Sequence, residues 1–216
     1  MIPTAQRLIA SPGALLDDPD ARLIPALLGL TALGGAIIGA AAGLQHDGLQ
    51  GVYSTIKMPA MLIVPPLLVL PALRGLAATL DLDLPLRRAA VAAIATSART
   101  AIFAAALTPV YWLFGASTGE SYRALVFGLA VTMSVGGTFG WAVLAAAPTA
   151  PTPRILRSLA FTLGSGALFL LAAGQTGWHL RPFVRQQGAP ASFFAPAEGD
   201  VYSSLKARFD DAGRGD

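Results

Sequence analysis

Two histidines, His46 and His179, are the residues on which acid–base or metal chemistry would first be sought in this chain, and cysteine is absent. Nucleophilic catalysis needs a nucleophile beside its base, a metal centre needs several converging ligands, and glycoside-type hydrolysis needs two carboxylates at one place. None of these sets assembles. His46 lies in the first loop and His179 at the end of the last apolar run, on the same face in the topology derived below. Two imidazoles without spaced carboxylates are too few for a metal site, and Asp47 beside His46 reads as a turn residue. Without cysteine there is no disulfide framework, thiolate nucleophile or cysteine metal site. The expectation is a protein that is not an enzyme and holds no cofactor or metal.

The remaining chemistry is that of isolated charges. Arg74 and Arg99 are the charges in or near long apolar runs. A charge in a membrane segment is a functional candidate by default, although a long side chain near a helix end commonly snorkels to the head groups. No Asp or Glu falls inside any apolar run, so a proton- or cation-coupled carrier would lack its usual coupling group.

The elements that must position these residues follow from composition. The 216 residues are 54% hydrophobic and 12% charged, with a mean hydropathy of +0.61. A soluble domain carries about a quarter charged residues. Lipid is the solvent that fits, and the chain reads as all-α, a polytopic transmembrane helix bundle of about five spans with a short interfacial C-terminal helix. The net charge of +3 fits basic loops retained on one side of a bilayer better than a nucleic-acid surface. The bilayer is therefore an expected partner and nucleic acid is not.

Residues 1–22 read as an N-terminal tail without signal-peptide order, 23–180 as the membrane domain and 181–216 as an interfacial tail. The spans read as Leu23 to Leu44, Ala60 to Leu80, Ala101 to Phe114, Ala124 to Ala147 and Ile155 to about Trp178. The loop Gln45–Lys57 precedes the second, which Pro65, Pro66 and Pro71 should kink or break; Pro109 interrupts the third. Arg99 then sits at the interface. In the tail, Val201, Tyr202, Leu205 and Phe209 share one helical face and suggest a helix lying on the membrane. Arg7, Arg22, Arg74, Arg87, Arg88, Arg154 and Arg157 fall on the N-terminal side, against Lys57 and Arg123 in the opposite loops, which predicts a cytoplasmic N-terminus. Five crossings place the C-terminal tail outside, against the pull of Arg181, Arg185, Lys206, Arg208 and Arg214.

Gly35, Gly39 and Gly43 share a face of the first span, and Gly128, Thr132, Gly136 and Gly140 share one of the fourth. Small residues at this spacing let helices approach closely, either within the chain or with a second copy or another subunit. Tyr111, Trp112, Trp141 and Trp178 suit the head-group layer.

Three strings carry a resemblance: Lys57-Met58-Pro59-Ala60 leading to Leu70-Pro71-Ala72, then Leu107-Thr108-Pro109-Val110-Tyr111-Trp112-Leu113-Phe114, and most specifically Gly174-Gln175-Thr176-Gly177-Trp178-His179-Leu180-Arg181-Pro182-Phe183. Together, over about residues 55–195, they resemble a family of bacterial polytopic membrane proteins labelled Yip-like, some of whose members carry an actin-binding Wiskott-homology label. Val184-Arg185-Gln186-Gln187-Gly188 departs from the family's pattern, which has a Gly-Ser-Pro-like turn there. The resemblance implies five membrane helices, a cytoplasmic N-terminus and no reaction; eukaryotic Yip proteins look like adaptors that organise partners on membranes. No residue supports the actin label.

Physically, Trp178, His179, Arg181, Pro182 and Phe183 form either a helix terminator with an interfacial anchor or, with Phe193 and Phe194, an exposed aromatic docking surface. The expectation is thus a non-catalytic bacterial inner-membrane protein that anchors or scaffolds an assembly. The alternative is a small permease or lipid-handling channel built on the kinked second span.

Overall fold

The computed structural model describes residues 2–17, 20, 22–45, 48–119, 121–148, 155–184 and 191–194; among them the regular structure is helical, with no strand. The loop at His46 and Asp47, the turn at 149–154 and the expected interfacial helix at Val201–Phe209 lie outside the described residues. Two short helices, α1 (Ile2–Ala10) and α2 (Ala14–Asp17), precede α3 (Leu23–Gly43), α4 (Gly48–Thr79), α5 (Leu86–Ala106), α6 (Thr108–Ser117), α7 (Tyr122–Ala145) and α8 (Ile155–Leu180). Helices α3, α4, α5, α7 and α8 are long and apolar enough to cross a bilayer, so this is a multi-pass membrane protein. Helix is the form that satisfies every backbone group within one segment in lipid.

Successive crossings alternate in direction. The start of α3, the end of α4, the start of α5, the end of α7 and the start of α8 share what is here termed the N-terminal face, and the other ends form the opposite face. On the N-terminal face Arg157 pairs with Asp81 at 2.6 Å, Arg87 pairs with Asp20 at 3.3 Å, and Arg88 Nε donates to the Ala147 carbonyl at 2.6 Å. Leu8, Leu15 and Leu16 of α1 and α2 are buried in the main core with Leu27, Leu73, Ala92 and Val143, so the first residues are built onto the bundle.

Two boundaries differ from the sequence expectation. Helix α4 begins at Gly48, not Ala60, and runs unbroken through Pro59, Pro65, Pro66 and Pro71. Each proline removes one intrahelical bond, a loss that a membrane bundle tolerates, so of the expected kink or break the helix shows no break. At 32 residues α4 is about 48 Å long, well beyond the roughly 30 Å hydrocarbon layer. The third crossing starts at Leu86 rather than Ala101, because the alanine-rich stretch before Arg99 is itself membrane helix. It ends at Ala106, where Pro109 clashes with the turn before it and restarts the chain as α6.

Both glycine faces are used inside the chain. A methyl group at Gly35 would lie 2.9 Å from the Pro59 nitrogen, and one at Gly39 would collide with the Ser54 carbonyl, so α3 and α4 touch backbone to backbone. Gly43 meets Gln50 and Gly51 in the same way. Gly136 and Gly140 seat α7 on Thr96, Thr100 and Ala104 of α5, and Gly128 takes Tyr111 and Phe114 of α6. Helix α8 lies along α4 at the edge of the bundle, reaches the main core through the buried Phe161, and is tied to α7 by Trp141 Nε1 donating to the Thr162 carbonyl at 2.9 Å.

Candidate functional site

Gln50, Ser54 and Lys57 follow one another at intervals of four and three residues, which places them on one face of α4. All three are buried, Lys57 to 1% exposure. Their partners come from the far end of the chain. After α8 stops at Leu180, Pro182 cannot continue the helix and the backbone turns back across the opposite face. The Pro182 carbonyl accepts from Gln50 Nε2 at 2.8 Å and from Lys57 Nζ at 3.0 Å, and the Phe183 carbonyl accepts from Ser54 Oγ at 2.6 Å. Further along, the Ser192 N–H donates to Gln50 Oε1 at 3.4 Å. The side chains of this strap go inward: Phe183 packs among Ile38, Met58, Ala104 and Met133, and Val184 among Ala41, Ala42, Tyr111 and Leu125.

The Lys57 ammonium has no carboxylate partner among the described residues. The Pro182 carbonyl faces it, together with the rings of Phe193 and Phe194, whose centroids lie 4.9 and 5.9 Å away. Tyr53 meets Phe193 edge to face at 5.2 Å. A buried cation is costly unless its donors are engaged, so the strap and Lys57 stabilise each other. The bundle beneath is more polar than the strap satisfies: Tyr111 Oη and Gln45 Nε2 are buried without a hydrogen-bond partner among the described residues.

The string at the end of α8 therefore does more than stop a helix. The Arg181 guanidinium carbon lies over the Trp178 ring, 3.4 Å from its centroid, Gln175 and the exposed His179 meet at 2.9 Å one turn apart, and Pro182 and Phe183 bind α4. Of the two readings of this string, the half-buried Phe183 packs against the bundle, whereas Phe194 remains 58% exposed. The strings around Lys57 and Trp178, far apart in sequence, converge on one contact. Beside it, α4 and α8 enclose a groove of about 550 Å³, lined by Ala60, Val64 and Leu68 on one wall and Leu171, Gln175 and His179 on the other.

The two intramembrane arginines separate. Arg74 is exposed on the last part of α4. Arg99 is not at a helix end as expected: α5 starts thirteen residues earlier, at Leu86, and the guanidinium is covered by α1. Its Nη2 donates to the Ile9 carbonyl at 3.3 Å and the group stacks on Phe103 at 5.6 Å. Nε and Nη1 are buried without a partner among the described residues. No group of three or more metal-ligating side chains occurs among the described residues.

Sequence reasoning placed Lys57 in a loop and passed over Gln50 and Ser54. The signal was their helical spacing, hidden because two glycines and a lysine read as loop composition. No family model, curated protein or solved structure matches this chain.

Proposed function

We propose that this protein is a non-catalytic membrane anchor that holds a larger assembly at a bacterial cytoplasmic membrane and presents its C-terminal segment as the docking element. The carrying observation is the clamp in which Gln50, Ser54 and Lys57 grip the carbonyls of Pro182 and Phe183. Three buried polar side chains are spent on fixing the path of the tail, which holds Phe194 outward at a defined position. The basic side chains gathered on the N-terminal face support an N-terminus in the cytoplasm, and the Yip-like resemblance favours an adaptor. With the glycine faces already occupied, the docking surface is the tail rather than α3 or α7. Purification from native membranes in mild detergent is expected to yield a stoichiometric partner with the full chain, a weaker one with Phe194→Ala, and none when residues 195–216 are deleted. A partner retained without the tail overturns this reading.

A second reading, a small permease or lipid-handling channel, is favoured by the groove between α4 and α8. A liposome flux or lipid-scrambling assay separates the two, because an anchor is silent in it.

A further inference from the structure

We infer that Gln50, Ser54 and Lys57 form a binding site for the phosphate head group of an anionic phospholipid whose acyl chain lies in the α4–α8 groove, and that the strap occupies the head-group position in this structure. Gln50 Nε2, Ser54 Oγ and Lys57 Nζ converge on two carbonyl oxygens at 2.6–3.0 Å. Such a donor set fits phosphate oxygens equally well, and a phosphate adds the negative charge that Lys57 lacks among the described residues. The apolar part of the site continues from the polar part. Lys57, Ala60, Val64 and Leu68 follow at intervals of three, four and four residues, so the ammonium tops the same stripe of α4 that walls the groove. Gln175 and His179 stand at the opposite-face end of the other wall, with Leu171 below them. A polar mouth above an apolar trough is the profile of a lipid rather than of a free anion. Past the strap, in the cluster that takes Val184, the buried Tyr111 hydroxyl has no hydrogen-bond partner among the described residues.

Carbonyl and phosphate cannot occupy the same donors, so lipid binding and strap docking exclude each other and are thermodynamically reciprocal. Anionic lipid would lift Pro182–Val184 and release the tail. The inference rests on the clamp and not on what the tail recruits; a lost partner with an intact lipid response leaves it standing.

The chain has no cysteine, so Ala42→Cys with Val184→Cys, which pack in one cluster, reports strap docking by disulfide formation. In phosphatidylcholine vesicles the full chain is expected to cross-link readily, and admixed phosphatidylglycerol should slow this at least about fivefold, the lower end of ordinary coupling between sites. In a Lys57→Gln background the two vesicle types should give the same rate. Equal rates for the parent pair in both vesicles, or a Lys57→Gln response as large as the parent's, overturns the proposal. So does equal slowing by inorganic phosphate in phosphatidylcholine alone, which would assign a free anion instead of a lipid. Retention of labelled phosphatidylglycerol through detergent purification needs no cysteine and tests the same site should the pair misfold. It should fall at least about fivefold in Lys57→Gln, and unchanged retention refutes the site.

Discussion

Helices α5 and α8 both cross the bilayer with similar mean hydropathy, 1.5 and 1.7, yet 72% of the apolar window of α5 is buried in the protein and only 11% of that of α8. The difference shows what orders helices in lipid. Between membrane helices there is no hydrophobic drive, so close approach and a few polar bonds decide which helix becomes the centre. Helix α5 is alanine-rich and receives the glycines of α7, while α8 projects Leu156, Leu163 and Leu170 outward. One is held by backbone contact along its length; the other leans on α4 and is secured at its end by the strap.

That contrast can be broken most severely at the glycines. Gly140→Ile would drive its side chain into Thr96 and Thr100, and Gly39→Ile into the Ser54 carbonyl. Each is expected to cost about 3 kcal/mol, seen as loss of monodisperse protein in detergent. Gly137→Ile, with nothing within 4 Å of an added methyl, should leave the protein intact. Next is the clamp: Lys57→Ala should weaken strap docking by about 1.5–3 kcal/mol, measured as faster proteolysis after Leu180 with the thermal midpoint of the bundle little changed. A bundle that melts with the strap would show the two regions to be one cooperative unit. Trp141→Phe removes the α7–α8 bond to Thr162 and is expected to cost about 0.6 kcal/mol by denaturant titration in micelles. Smallest is Arg157→Gln, which removes the pair between the half-buried Arg157 and the exposed Asp81 and the bond to the Leu80 carbonyl at 3.2 Å. Its cost should lie below about 1 kcal/mol and shrink as salt is raised.

The crossings were legible because about twenty apolar residues leave a chain few options in water, and Leu23–Gly43 was readable almost to the residue. The boundaries of α4 and α5 were not. Lys57 carries a charge and Pro59 follows it, so residues 48–57 look like loop until the strap supplies acceptors that allow a lysine inside a bundle. Residues 86–100 look too polar and too alanine-rich for a crossing until α3 and α7 cover them. The Trp178–Phe183 string stood out in the sequence. Its partner did not, since more than a hundred residues separate Pro182 from Gln50, Ser54 and Lys57.

The sequence alone determined the solvent, the helical class and the approximate number of crossings, because composition and run length fix how much apolar surface must face lipid. It also determined which faces could pack closely, through the spacing of glycine. Only the tertiary structure decided that those faces serve contacts within the chain, that α5 is central and α8 peripheral, and that a buried lysine holds the tail. Those outcomes depend on which segments meet, and a lysine is loop-like or structural according to whether a carbonyl from elsewhere in the chain reaches it.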